Sequence, residues 1–231
     1  MAILSIVIPC YNERDTWRKL VERVEAVDLG GVGRQLVLVD DCSTDGTRQQ
    51  LEEFARQRPD AVVKFHAKNG GKGAALRTGF QAATGDFVIV QDADLEYDPN
   101  DYPALLAPLL AGEADVVYGS RFLAGGVKGC LRNWLANKFL TWLSNRATGL
   151  KITDMETCYK MLRRDVLARI PLEQDRFGFE PELTARVAAL GVRIVERPIR
   201  YMPRTAAEGK KIKAKDGLNA IKCIWKYRVR R

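Results

Sequence analysis

What most constrains this chain is an alternation in its first half: short apolar runs that stop at polar or acidic residues, each followed by a stretch with helical spacing. Ile3 to Ile8 is a β-branched run ending at Pro9, and Leu36 to Val39 closes on Asp40-Asp41. Val62 to Phe65 is a third run, and Phe87 to Val90 stops at Gln91-Asp92. Apolar runs this short, bounded by turn residues, read as buried strands. Between them, Arg14 to Val27 sets Trp17, Leu20, Val21, Val24 and Val27 at helical spacing. Thr44-Asp45-Gly46-Thr47 opens a helix carrying Leu51, Phe54 and Ala55, and Gly73 to Thr84 reads as another. Strands alternating with helices build βαβ units, so the expected fold is α/β, a mostly parallel central sheet flanked by helices in a Rossmann-like arrangement.

The second half is less regular. Leu105 to Leu110 is a helical fragment, and Val116 to Tyr118 a strand before Gly119-Ser120-Arg121. Leu131 to Asn145 places Leu131, Trp134, Leu135, Phe139, Trp142 and Leu143 in an aromatic-rich amphipathic pattern. Leu183 to Leu190 reads as a helix and Arg193 to Tyr201 as an alternating strand. With no internal repeat or low-complexity linker, the expectation is one domain over 1–203, its halves meeting near residue 120, followed by a basic segment over 204–231. Within that segment Pro203 to Asp216, polar and strongly basic, reads as a mobile loop.

Composition excludes several classes. The chain is 46% hydrophobic, enough for a substantial core. No apolar run approaches the ~20 residues that span a bilayer, and the N-terminus lacks the pattern of a signal peptide, which predicts a cytoplasmic protein. The five cysteines are scattered without a C-x-x-C pair, arguing against a disulfide framework or structural zinc. The single histidine, His66, follows Val62-Val63-Lys64-Phe65 and reads as a strand residue. Net charge is +8, yet residues 204–231 hold ten Lys/Arg against two Asp/Glu, so the rest of the chain is neutral. A basic tail on a neutral body suits an anionic membrane surface, a phosphorylated substrate or nucleic acid.

In open α/β sheets, ligands sit beyond the carboxyl ends of the strands. Three polar motifs fall there: Pro9-Cys10-Tyr11-Asn12-Glu13, Asp40-Asp41, and Asp92-Ala93-Asp94. Any one of them could serve only to cap a helix or make a turn. Three at matching strand ends need a cation or a donor-rich ligand to hold their charges together. Two aspartates at i and i+2 leaving a strand can offer oxygens to one hard cation, Mg2+ or Mn2+, which commonly keeps phosphate oxygens in the same shell.

The ordered set of motifs resembles family 2 glycosyltransferases with the GT-A fold, and within them the dolichol-phosphate mannosyltransferase and polyprenyl-phosphate glucosyltransferase group. Gly70-Gly71-Lys72-Gly73, Tyr118-Gly119-Ser120-Arg121 and Thr153-Asp154-Met155-Glu156-Thr157 extend the similarity over roughly 3–211. The resemblance implies an inverting transfer of mannose or glucose from GDP-mannose or UDP-glucose to a polyprenyl (dolichyl-type) phosphate. By position it implies that Pro9, Tyr11, Glu13, Asp40 and Asp41 line the site of base and ribose, and that Lys72 lies in a loop over the nucleotide. Asp92 and Asp94, with Ala93 between them, would hold a metal, and Glu96 stands where a third ligand can come. Arg121, Arg132 and Arg204 match arginines that gather the acceptor phosphate, for which a planar guanidinium is suited. Lys210 and Lys211 resemble a basic loop over the same phosphate. Asp154 is implied either as a base or as a residue positioning arginine or acceptor.

The tail itself interleaves Ile221, Ile224, Trp225 and Tyr227 with Lys222, Lys226, Arg228, Arg230 and Arg231. Such a segment can lie at an anionic bilayer, which predicts peripheral attachment at the inner face of the membrane, alone or through a membrane-protein partner. Competing readings are transfer to a sugar hydroxyl, with Asp154 or Glu182 as general base, and a nucleotidyltransferase. The latter usually carries a glycine-rich loop after its first strand, which Pro9-Cys10-Tyr11-Asn12-Glu13 is not. A nucleic-acid binder would use the tail and leave the acidic motifs without purpose.

Overall fold

The computed structural model describes residues 1–123, 125, 130–204 and 214–229. Seven strands form one sheet in the order β3-β2-β1-β4-β6-β5-β7. They are β1 (Ile3–Cys10), β2 (Gly33–Asp40), β3 (Val62–Phe65), β4 (Phe87–Val90), β5 (Val116–Ser120), β6 (Lys160–Arg163) and β7 (Ile194–Pro198). Strands β1 to β4 pair parallel with one another, and β7 pairs parallel to β5. Strand β6 runs antiparallel between β4 and β5. The helices are α1 (Trp17–Ala26), α2 (Thr47–Gln57), α3 (Lys72–Ala82), α4 (Tyr102–Leu110), α5 (Leu131–Thr148), α6 (Arg164–Leu167), α7 (Phe179–Ala189) and α8 (Ala214–Lys226).

Strand β1 lies between β2 and β4, and its Leu4 and Ile6 to Ile8 are fully buried. A parallel strand covered on both faces must be apolar throughout, which is why its sequence shows a run and no alternation. Helix α3 reaches this strand because Gly79 has no side chain: a Cβ there would lie 2.3 Å from a Val7 methyl. Helices α1 and α2 meet edge-on through Trp17 and Phe54, ring centroids 5.3 Å apart.

Strands β1, β3, β4 and β5 and helices α1 to α3 stand where the sequence pattern puts them, within three residues at each end. Helices α4 and α7 begin earlier than the apolar spacing implied. Pro103 and Pro181 sit in their first turns, where a missing N–H leaves no hydrogen bond unmade. Strand β6 and helix α6 have no counterpart in the sequence reading, because Lys160 and Arg163 bracket only two apolar residues. Lys160 is nevertheless fully buried, donating to the carbonyls of Met155 and Thr157. Of the segment read as a mobile loop, residues 205–213 lie outside the described residues, while Ala214 to Asp216 already belong to α8.

Candidate active site

The carboxyl ends of β1 and β2 are stitched to each other. Asn12 Oδ1 accepts from Thr44 N (2.8 Å), Asn12 N donates to Ser43 Oγ (3.0 Å) and Glu13 N donates to Thr47 Oγ1 (2.9 Å). Asp40 is fully buried, accepts from Ser43 N and lies 3.5 Å from Arg48 Nη1. Asp41 reaches away from the strand to the glycine loop. Its carboxylate accepts from Gly70 N (2.8 Å), Gly71 N (2.7 Å) and Asn69 Nδ2 (2.9 Å), and His66 Nδ1 lies 2.7 Å away. His66, just past β3, thus braces Asp41, with its other ring nitrogen 2.9 Å from Thr78 Oγ1. Gly71 needs its small size and φ of +94° at this point, since a Cβ would approach Asp175 O to 2.6 Å. Among the described residues only Asn12, Cys42 and Leu95 are non-glycines in the left-handed region. Asn12 lies within the first strand-end motif, and Cys42 and Leu95 directly follow the other two, which is where backbone strain is commonly stored for function.

At the end of β4, Asp92, Asp94 and Glu96 bring three carboxylates together with buried Ala93 between the first two. Two cations from distant parts of the chain hold them. Lys72 Nζ lies 2.9 Å from Asp92 Oδ1 and 2.9 Å from Glu180 Oε1. Burial works against the Lys72 charge, but Asp92 and Glu180 outweigh it and hold its pKa well above the ordinary lysine value. Arg204 Nη2 lies 3.1 Å from Asp94 Oδ2 and 3.2 Å from Glu13 Oε1, and Arg204 N donates to Glu96 Oε1 (2.8 Å). Tyr201 donates to the other Glu96 oxygen (2.8 Å). The compensation is incomplete: burial, with Asp92 and Glu96 alongside, pushes the Asp94 carboxyl up to about 7 despite Arg204. Among the described residues no three His, Cys, Asp or Glu side chains converge to hold a metal ion. The donor set is nonetheless hard oxygen with a surplus of negative charge, which fits Mg2+ or Mn2+.

After β5, Arg121 and Asp154 form a closed pair. Arg121 Nε and Nη2 each donate to Asp154 at 2.7 Å, and Arg121 N donates to Asp154 Oδ2 at 3.0 Å. Asp154 is fully buried, so this is a charge-assisted, bidentate contact shielded from water. Glu196 on β7 accepts from the Thr153 and Asp154 amides and so fixes the loop that carries the pair. The Arg121 guanidinium lies 5.1 Å from the Tyr201 ring centroid.

The remaining sequence-designated residues are more dispersed. Pro9 is the last but one residue of β1, and Tyr11, just past the strand, is 38% exposed at the sheet edge. Arg132 is exposed in the first turn of α5, and Lys210 and Lys211 lie outside the described residues. Arg204 stands with the carboxylates at the ends of β1 and β4. Helix α5 turns Leu131, Leu135, Phe139 and Trp142 to solvent, all more than half exposed. The apolar side of α8 instead packs inward: Ala220, Cys223 and Ile224 are buried, Tyr227 bonds to Glu173 and Gln174, and Leu218 and Trp225 are exposed. The tail stripe is therefore narrower than its sequence implied. Among the described residues no helix is long and apolar enough to cross a membrane. Sequence reasoning missed Glu180, Glu196 and Tyr201, which enter the site from α7, β7 and the segment after it. Only a glutamate flanked by Phe179 and Pro181 offered a signal, and a buried carboxylate is hard to distinguish there from a helix-start residue.

A model of the family described as Glycosyl transferase family 2 matches residues 5–170. The chain belongs to that family. It is 33% identical over 222 residues to an undecaprenyl-phosphate mannosyltransferase of Micrococcus luteus, covering 91% of this chain and 87% of that one. It is 32% identical over 194 residues to a dodecaprenyl-phosphate galacturonate synthase of Rhizobium johnstonii, covering 80% of this chain and 54% of that one. Among solved structures, glucosyl-3-phosphoglycerate synthase from Mycobacterium tuberculosis, in complex with Mg2+ and UDP, superposes with a TM-score of 0.72 over 98% of this chain and 79% of that one. At 21% identity that likeness speaks for the fold, which is the GT-A arrangement the motifs implied.

Proposed function

We propose that this family 2 glycosyltransferase moves a hexose, with inversion, from a nucleotide sugar (GDP-mannose or UDP-glucose) to a polyprenyl phosphate. The observation that carries this reading is the closed Arg121–Asp154 pair facing an acidic strand end. A sugar-hydroxyl acceptor needs a general base to take its proton. Asp154 has both oxygens committed to Arg121, and Glu182 is fully buried, accepting from the Glu173 and Gln174 amides. A phosphate acceptor is already an anion near neutral pH and needs cations more than a base. Both relatives reported above have a polyprenyl phosphate in their names, while their sugars differ.

Asp154 then positions Arg121, which receives the acceptor phosphate together with Arg132, Lys210 and Lys211. Tyr11, Pro9 and Asp40 border the base and ribose, and Asp41 acts through the glycine loop that it anchors. Asp92 and Asp94 would hold the divalent ion, Glu96 completing the set by exchanging its Arg204 contacts. Bound there, Mg2+ or Mn2+ would neutralise charge building on the departing nucleoside diphosphate, which helps most in the transition state. Lys72 and Arg204, released from those carboxylates, turn to the phosphates of donor and acceptor. The acceptor oxygen attacks C1 of the sugar as its bond to the diphosphate breaks, so one displacement inverts the anomeric centre. Catalysis is assigned to 1–203, with 204–231 adding further phosphate and membrane contacts. The exposed Leu131, Leu135, Phe139 and Trp142 of α5 rest on the cytoplasmic surface of the bilayer, where the lipid acceptor lies.

The test is incubation of purified protein with labelled sugar nucleotides, Mn2+ or Mg2+, and polyprenyl phosphate. A lipid-extractable labelled product is expected. Labelling of water-soluble oligosaccharides alone would select the hydroxyl-acceptor reading instead.

A further inference from the structure

Near the Arg121–Asp154 pair and the Lys72 bridge lies a set of polar groups that the reading above leaves unused. Glu156 is partly exposed, yet its Oε1 is enclosed and without a hydrogen-bond partner. Thr157 Oγ1 and Glu180 Oε2 are in the same condition, on residues 0% and 5% exposed. Lys160 spends its hydrogen bonds on the carbonyls of Met155 and Thr157, so it neutralises the carboxylates only through space. Buried polar atoms are nearly always paired, and three orphans in one neighbourhood call for a ligand.

The position of the group identifies the ligand. Glu180 shares Lys72 with Asp92, which places it against the donor diphosphate. Glu156 follows Asp154, the partner of Arg121, by two residues, and Glu180 and Lys160 are near enough to act on its charge. It is therefore close both to the residues assigned to the leaving phosphate and to those assigned to the attacking one. A displacement at C1 has to put the sugar ring in the interval between those two sets. The sugar also differs between the two polyprenyl-phosphate relatives, so residues in this interval, and not those that hold phosphate, must set it.

We propose that Glu156, with Thr157 and Glu180 behind it, receives the hydroxyl groups of the donor's sugar ring and selects uncharged hexoses over hexuronic acids. The proposal rests on the donor site described above. A carboxylate only accepts hydrogen bonds, and the ring hydroxyls of a neutral hexose donate them. A hexuronate would bring its own carboxylate against Glu156 and Glu180, with Asp92 and Asp154 close by. Like charges in a poorly hydrated pocket repel strongly. Burial and the neighbouring Glu180 already push the Glu156 carboxyl up to about 7, the direction in which a further anion beside it would act.

Calorimetric titration in Mn2+, without any acceptor, tests this. Wild type, E156Q and E156A are each titrated with UDP, GDP, UDP-glucose, GDP-mannose and UDP-glucuronate. Wild type is expected to bind a hexose nucleotide at least tenfold more tightly than UDP-glucuronate. E156Q should lower that ratio at least fivefold, and E156A should change the affinity of the hexose nucleotide relative to its own nucleoside diphosphate by a similar factor. Affinity for the nucleoside diphosphate alone should stay within twofold, which also reports that the donor site is folded. If E156A does not fold, E156Q decides. Ratios unchanged in the variants overturn the proposal. Because no acceptor is present, that result is separable from failure of polyprenyl-phosphate transfer, which would refute the acceptor reading while leaving this one standing.

Discussion

The two charged groups of the site handle charge in opposite ways. At the ends of β1 and β4, four carboxylates (Glu13, Asp92, Asp94 and Glu96) share two long cationic side chains, and Asp94 is left with its carboxyl pushed up to about 7. After β5, one guanidinium meets one carboxylate through two side-chain bonds and a backbone bond, with Glu196 fixing the loop behind. The first arrangement leaves negative charge uncompensated, which would favour a cation and, through Lys72 and Arg204, a diphosphate. The second satisfies both Asp154 oxygens within the fold. A transferase needs both: a side that reorganises around the leaving group, and a side whose geometry is set before the acceptor arrives.

The sharpest way to break this contrast is to remove one member from each side. Asp94→Asn should lower turnover by roughly a thousandfold or more, since metal stabilisation of the leaving charge is worth several kcal/mol. Its Tm without metal should hold or rise, because an amide relieves the repulsion from Asp92 and Glu96. Substantial retained turnover would refute the metal assignment. Arg121→Ala should do the reverse to stability. It strands a buried carboxylate, at about 3–5 kcal/mol, and should lower Tm as well as kcat/KM. The double variant R121M/D154L should regain much of that Tm with no activity. If instead it regains activity, the pair is not the acceptor's receptor.

Smaller effects sharpen the same comparison. Asp41→Asn weakens the anchor of the Gly70-Gly71 loop, and nucleotide affinity by titration should fall about tenfold, the value of losing one charge-assisted bond. An unchanged affinity would show that the loop holds without it. On the far side, Phe139→Ser with Trp142→Ser should leave Tm within a degree or two, since both rings are more than half exposed. Partition onto vesicles containing anionic lipid should drop by roughly threefold to tenfold. The smallest effect is on pH dependence. Glu156 binds its proton more tightly folded than unfolded, with a pKa of about 7 against an ordinary 4.5. Between those values the native state carries more protons, so stability should decline as pH rises from about 5 to 7. E156Q should flatten that slope in a thermal scan, and an identical slope would show that the group titrates normally.

Much of the donor side was legible because its signals are local. Apolar runs mark β1 to β4, and the residues that leave a parallel strand at its carboxyl end necessarily face the ligand edge. Thus Asp92, Asp94, Asp41 and Glu13 were found at short range. Partners were not, because periodicity carries no information about pairs such as Glu13 and Arg204, which are 191 positions apart. Arg204, expected on the acceptor phosphate, stands among the donor carboxylates for that reason. Strand β6 was invisible since its burial is conferred by β4 and β5 on either side, not by its own composition. The apolar stripe of α5 was legible, but whether it faced core or solvent was not, because either arrangement satisfies the same spacing.

By itself, then, the sequence determined the parallel half-sheet, the acidic edge and the family, because strand burial and strand-end chemistry are written in contiguous residues. Tertiary structure alone decided that Asp154 is spent on Arg121, that Lys72 bridges Asp92 to Glu180, and that Glu156 Oε1 and Thr157 Oγ1 are enclosed without a hydrogen-bond partner. Those outcomes depend on which distant side chain arrives first at a buried charge, and only packing in three dimensions settles that competition.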